Sequence, residues 1–374
     1  MYNTDSRNTK TLAIIGIRGF PGVQGGVESH CAMLAPYLAS EFSCRVYRRK
    51  PYLTDESSTP VGENITFIDL PSTRIKGFET VWHTLLCCMH LLFHRVNVVN
   101  VHNIGPGMFT PLLRIMGIKV VLTYHSPNYE HDKWGKGSKL LLRISEKLAL
   151  TWANHIIFVS PVQRAKYSQN ILNKSHAIPN GIPPVSHSDR IDFLKSHNIT
   201  PRKYILAVGR LTPEKGFDTL IKAVNLLSEP YTLVIAGSCD HDPKYMEYLK
   251  SCDINNRTIF TGYTTGEPLN QLYSHARLYV LSSRNEGFPM VLLEAMSHSL
   301  PVICTDIPAA HIIELPPHQY TPVDNPEQCA RTIETILAEP DERTDYNLNA
   351  YHWQDIARQT CQVYDSLLNR KEKK

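Results

Sequence analysis

The stretch KYILAVGRLTPEKGFDTLIKA, residues 203–223, decides the fold. It opens with an apolar run of buried-strand length, breaks at Gly209 and Pro213, and continues as a helical run. Strand, loop and helix in that order begin a βαβ unit. More short apolar runs follow at YTLVIAG (231–237), RTIFTG (257–262), ARLYVLS (276–282) and PVICTD (301–306), with helical runs between them. The same alternation runs upstream, through TLAIIG (11–16), CRVYR (44–48), ITFIDL (65–70), VNVVNVHN (96–103), KVVLTYH (119–125) and HIIFVS (155–160). Helical stretches are expected at 27–40, 78–94 and 138–153. The Pro-rich segment IPNGIPPVSHSDR (178–190) separates the two series and reads as a linker. The expected fold is therefore α/β, with two Rossmann-like, doubly wound domains at 1–186 and 187–351 facing across a cleft. The last helical run, HWQDIARQTCQVYDSLLNR, lies in a final segment 352–374 with no strand after it, and is expected to cross back to the first domain.

Bulk properties narrow the function. A chain of 374 residues suits two cores rather than one. A net charge of +4 is too small to argue for a nucleic-acid partner. Nine cysteines without C-x-x-C pairs suit reduced thiols in a cytoplasm rather than a disulfide framework. The polar start MYNTDSRNTK has no apolar signal region, and no run reaches the ~20 apolar residues of a membrane span.

In doubly wound sheets, ligands bind at the carboxyl ends of the strands, so the loops there carry the chemistry. The first strand runs into GIRGFPGVQGGVES (16–29), whose glycines, Gly25 and Gly26 among them, allow tight turns and a close ligand approach. The following helix start suits phosphate. In 209–223, Arg210 and Lys215 straddle a Thr-Pro turn and can aim two cations at a diphosphate. The stretch SSRNEGFPMVLLEAM (282–296) puts Glu286 in a loop and Glu294 in an apolar helix start. A carboxylate in such surroundings needs a partner, and ribose or sugar hydroxyls are suitable ones. Pro289 suits the first helical turn and is expected to leave neighbouring N–H groups, such as that of Met290, facing the ligand.

Taken together, GVQGGVES, TYHS, PNGI, GRLTPEKGFDTLIKA, NEGFPMVLLEAM and LPVICTD resemble glycosyltransferase family 4, whose members are retaining, nucleotide-sugar-dependent enzymes of the GT-B fold. The resemblance covers nearly the whole chain in order. It implies that Glu294 binds the ribose, Glu286 the donor hexose, and Arg210 and Lys215 the diphosphate as the glycosidic bond breaks. It implies that Gly25 and Gly26 approach the same phosphates, that His125 lies near the transferred sugar, and that Gly287, Phe288, Pro289 and Met290 line the donor. Catalytic roles thus fall to His125, Arg210, Lys215 and Glu286. The resemblance implies no cofactor and no metal, since Arg and Lys play the cation's part. The expected acceptor is a hydroxyl of a glycan or lipid-linked molecule, in bacterial surface-polysaccharide, lipopolysaccharide or glycolipid assembly. Two features depart from the family: Ser299-Leu300 precedes the next strand, and IPAAHIIE (307–314) replaces a Gly-rich turn, so no role is carried to Ala309, Ala310 or His311.

Other readings compete. A nucleotide-sugar epimerase or hydrolase shares the fold, and a non-catalytic nucleotide-binding protein shares the site. An NADP-dependent oxidoreductase would use the glycine loop for pyrophosphate and Arg48 or Arg49 for the 2′-phosphate. His90 and His94 stand four apart, a metal-pair spacing, but nothing nearby completes a site, and core or interface roles fit them better. His102 ends a strand and reads as structural. The apolar helix 78–95 beside Arg74, Lys76 and Arg95, with RVYRRKPY (45–52), raises the expectation of peripheral contact with the inner face of a membrane.

Overall fold

The protein is described by a computed structural model covering residues 10–23, 25–75, 77–127, 135–182, 185, 187–239 and 243–369. The chain divides into two compact units, Met1–Gly181 with Ala350–Lys374, and Ile182–Asn349. The break falls inside the Pro-rich stretch.

The first unit runs β1 (Thr11–Ile15), α1 (Gly26–Leu38), β2 (Ser43–Arg49), β3 (Ile65–Leu70), α2 (Phe78–Phe93), β4 (Val98–His102), α3 (Ile104–Gly107), α4 (Thr110–Ile115), β5 (Lys119–Tyr124), α5 (Lys136–Trp152), β6 (His155–Phe158), α6 (Pro161–Arg164), α7 (Gln169–Leu172) and β7 (Ser175–Ala177). Its strands form one parallel sheet in the order β3-β2-β1-β4-β5-β6-β7. β4 is buried along its whole length. A strand covered on both faces has no solvent side, which is why it reads as a continuous apolar run and not an alternation.

The second unit runs α8 (Asp192–Ser196), β8 (Tyr204–Val208), α9 (Phe217–Asn225), β9 (Thr232–Ala236), α10 (Pro243–Cys252), β10 (Thr258–Gly262), α11 (Gly266–His275), β11 (Leu278–Leu281), α12 (Met290–Ser297), β12 (Val302–Thr305), β13 (Tyr320–Thr321) and α13 (Pro326–Ala338). Its sheet is parallel in the order β10-β9-β8-β11-β12-β13. The final helix α14 (Trp353–Leu368) belongs to the first unit and packs on α1. Its Tyr364 hydroxyl accepts from the Asn100 side chain of β4 at 2.7 Å, and Asp365 pairs with Lys10 at 2.6 Å.

In each sheet the strand order reverses beside the first strand, between β1 and β4 and between β8 and β11. The crevice at such a reversal is where open α/β sheets bind ligands. One glycine brings the chain close at each reversal. A Cβ on Gly16 (φ +95°) would lie 2.3 Å from the His102 carbonyl oxygen, and one on Gly216 (φ +63°) 2.1 Å from that of Ser282. Neither position admits a side chain. Among the described residues no helix is long and apolar enough to cross a membrane.

Candidate active site

The residues expected to hold a diphosphate and a sugar meet at the reversal of the second sheet. Lys215, after β8, and Glu286, after β11, form an ion pair of 2.6 Å. Their side chains are only 18% and 11% exposed, so water screens the pair little. The Ser283 hydroxyl donates to the same Glu286 oxygen at 2.7 Å. Glu294, on the second turn of α12, accepts from the Tyr273 hydroxyl at 3.0 Å. Crowding by protein pushes its pKa up, and the Tyr273 bond only partly offsets this. Its surface is nevertheless partly open, as suits a carboxylate at the floor of a binding site. The Tyr279 side chain is fully buried. It lies near enough to both glutamates for their charge to raise its pKa further above the level set by burial.

A residue that sequence reasoning missed laces these loops together. The Arg284 guanidinium pairs with Asp218 at 2.9 Å and Asp324 at 2.7 Å, and also donates to the Pro213 carbonyl. The Arg284 N–H donates to the Glu214 carbonyl at 2.8 Å, and the Ser282 hydroxyl to that of Lys215 at 2.9 Å. The two site loops are therefore one hydrogen-bonded body. Nothing local announces this, because Asp218 lies 66 residues from Arg284 in sequence.

The other second-unit residues divide. Arg210 is exposed, and its guanidinium makes no hydrogen bond or ion pair with a described residue, so it is available to a ligand. Gly287 and Phe288 are half-buried in the loop ahead of α12. Pro289 precedes the helix rather than entering its first turn. The Met290 N–H donates to the Phe288 carbonyl at 3.0 Å. The expectation of a free Met290 N–H is thus corrected: the Gly-Phe-Pro turn closes on itself and consumes it. At the departed turn, His311 is bound to Asp306 at 2.7 Å and stacked on Tyr320. The expectation of no metal puts Arg and Lys in the cation's part, but an Asp-x-Asp triplet, Asp240-His241-Asp242, follows β9 in the sequence. It lies outside the described residues.

In the first unit, Gly25 precedes α1 and Gly26 begins it, with open space where a Gly26 Cβ would stand. The Glu28 carboxylate fills the space beside Gly25 and accepts from the Arg18 N–H at 3.0 Å. His125 follows β5 and shares a 3.0 Å hydrogen bond between its Nε2 and His102 Nδ1. His30, on α1, joins them, so one ring nitrogen from each lies within 4.8 Å of the others. His30 is held by Asn180 at 2.7 Å and by the Trp353 ring. Burial lowers the His30 pKa to about 4 and those of His102 and His125 well below 6.5, so the trio is neutral near pH 7. Three neutral imidazoles are also a donor set that fits a borderline metal ion.

Arg48 and Arg49 are not available to a 2′-phosphate. Arg48 is 5% exposed and forked onto Asp69 at 2.7 and 2.9 Å, while Arg49, 4% exposed, faces Glu79 at 3.5 Å. His90 bonds the Tyr47 hydroxyl and stacks on His94, as a packing pair does.

Comparison with known proteins decides the family. Residues 24–185 match the model described as Glycosyltransferase Family 4, and residues 189–353 the one described as Glycosyl transferases group 1. This chain belongs to glycosyltransferase family 4. An uncharacterised glycosyltransferase of Methanocaldococcus jannaschii is 31% identical over 212 residues, covering 51% of the family-4 chain and 54% of its own length. The O-antigen chain mannosyltransferase RfbU of Salmonella typhimurium is 27% identical over 240 residues, covering 63% and 65%. The match thus spans about half to two-thirds of these relatives. The solved sucrose-phosphate synthase of Thermosynechococcus elongatus has a TM-score of 0.79 at 22% identity, covering 96% of the family-4 chain and 99% of its own. That likeness establishes the two-Rossmann GT-B fold.

Proposed function

We propose that this protein is a retaining hexosyltransferase that moves a hexose from a UDP- or GDP-linked donor to a hydroxyl of a glycan or lipid-linked acceptor. The observation that carries the reading is the Lys215–Glu286 pair at the reversal of the second sheet, with Glu294 nearby and Arg210 exposed beside it. Buried carboxylates seek hydroxyl donors, and a nucleotide sugar brings both ribose and hexose hydroxyls. A diphosphate leaving group needs positioned positive charge as its bond to the sugar breaks, and Lys215 and Arg210 supply it without reorganisation. In the ground state Glu286 holds Lys215 in place. A diphosphate arriving between Lys215 and Arg210 competes for that ammonium and leaves Glu286 free to accept from the sugar. Roles for Gly25, Gly26 and His125 toward the donor rest on the family resemblance alone.

In this reading the acceptor hydroxyl attacks from the face the leaving phosphate departs, and its proton passes to that phosphate. Neither metal nor cofactor is required, and the donor is a substrate. The setting is cytoplasmic surface-polysaccharide or glycolipid assembly. The mannosyltransferase RfbU among the relatives supports it.

Calorimetric titration with UDP, GDP, ADP and NADP, in EDTA, tests the reading. One nucleoside diphosphate should bind tightly, and Glu294→Ala should weaken it. Binding of NADP alone would overturn the proposal. Turnover of the sugar nucleotide without transfer to any acceptor would favour the epimerase or hydrolase instead.

A further inference from the structure

Helices α2, α3, α4 and α5 bury their inner sides in one core. Cys87 and Leu91 of α2, Ile104 of α3, Leu113 of α4 and Leu150 of α5 all join the same cluster with Val99 and Leu122 of the sheet. The steps β3 to β4, β4 to β5 and β5 to β6 run in one direction along the sheet, so right-handed crossovers place their helices on one face. Their outer sides therefore form one continuous surface.

That surface is apolar. On α2 the exposed side chains are Phe78, Trp82, Met89, Leu92 and Phe93, a stripe at helical spacing, with Phe93 83% exposed. α4 adds Leu112 and Ile115, the latter 75% exposed, and α5 adds Leu140, Leu141 and Ile144. Soluble proteins rarely leave so large an apolar area uncovered without a partner for it.

The charges on the same helices have one sign outward. Glu79 turns in to Arg49 and the Tyr52 hydroxyl, and Glu146 accepts from Tyr124 at 2.5 Å and Tyr167 at 2.7 Å. Lys136, Arg143 and Lys147 of α5 and Arg95 after α2 are exposed. The other basic stretch does not contribute as its sequence promised: Arg48 and Arg49 are buried, and Arg45 donates to the His94 carbonyl at 2.9 Å.

We propose that the α2/α4/α5 face docks on an anionic lipid surface. The apolar side chains enter the headgroup boundary while the lysines and arginines meet lipid phosphates. A second copy of the chain is a poor occupant, since a two-fold contact sets this cationic face against itself. Docking also deepens the proposed function, on which this one step rests: β4 ends at His102 and the chain continues through α3 into α4, so one docking helix follows the strand end that carries a first-unit histidine. A lipid-linked acceptor is the class such an orientation serves.

The test is co-sedimentation with vesicles of phosphatidylcholine alone or of equal parts phosphatidylcholine and phosphatidylglycerol, without nucleotide sugar, at low and high salt. Binding is expected to the anionic vesicles and to weaken with salt. Lys136→Glu with Lys147→Glu should weaken it by about tenfold or more, as should Phe93→Ser with Ile115→Ser, both with unchanged thermal melts. Lys50→Glu, in the other basic stretch, should change nothing. Equal binding to both vesicles, binding to neither, or a wild-type dimer that Phe93→Ser with Ile115→Ser makes monomeric would each overturn the proposal. Since no donor is present, these outcomes leave the transferase reading untouched.

Discussion

The two sheet reversals share a backbone plan and differ in chemistry. At each, a glycine presses against the carbonyl that ends the neighbouring strand, Gly16 on His102 and Gly216 on Ser282. Above Gly216 stand charges: Lys215 with Glu286, Glu294 nearby, and Arg284 clasped by two aspartates. Beside Gly16 stand three neutral histidines, with Arg48 and Arg49 turned into the core. The topology supplies an opening twice, and the side chains decide that only one opening is built to hold a highly charged ligand.

The sharpest way to break this contrast is to remove the charges. Lys215→Ala and Glu294→Ala should each reduce sugar transfer by at least ~10²-fold, the scale of lost transition-state electrostatics, while the melting temperature stays near wild type. Near-normal turnover in either variant, measured at saturating donor, would end the assignment of the second reversal as the donor site.

The shared backbone plan predicts equal sensitivity. Gly16→Ala and Gly216→Ala should each destabilise their own unit by about 3 kcal/mol, combining left-handed strain with a backbone collision. Denaturant titration that found one of them neutral would show the two reversals to be built differently.

Acid should separate the units. Burial holds His30 and His83 of the first unit to about 4, and lowers His102 and His125 well below 6.5. In the second unit His298 is likewise lowered to about 4. Unfolded histidines take up protons below about pH 6.5 while these folded ones do not, so their stabilising effect is complete above that pH and lost as pH falls toward 4. Each of the three held at about 4 costs about 1.5 kcal/mol between pH 6.5 and 5. Thermal melts from pH 7 to 5 should show the first unit giving way sooner, and His125→Asn should flatten its pH slope. The smallest effect belongs to Gly26→Ala: with open space for its Cβ, stability should change by no more than about 0.5 kcal/mol.

Much of this architecture is visible in the sequence because parallel strands buried on both sides leave apolar runs that cannot be mistaken for loops. All eleven expected runs hold a strand; eight of these end one or two residues before the run does, where the chain turns off the sheet, while β3 and β10 end with it and β2 one residue beyond. β7 and β13 span three and two residues and leave no such run. Side-chain partnership between distant loops was not legible. Glu286 and Lys215 each stand out by their spacing from turns, but not their pairing across 71 residues, and Arg284 resembles any loop cation until Asp218 and Asp324 are placed around it. His30 reads as one polar residue on a helix, and the strand order alone brings it to His102 and His125. Arg48 and Arg49 fail as surface cations for the same reason, since Asp69 and Glu79 come from separate elements.

The placement of α14 has a consequence for how the protein is made. Tyr364 completes the core around Asn100 and Phe42, and Trp353 packs over His30 and Gly181. The ribosome delivers both aromatics only after the entire second unit has emerged. The half synthesised first must therefore wait, with α1 partly bare, while the half synthesised second already has every strand it needs, so the order of synthesis and the order of completion run opposite ways.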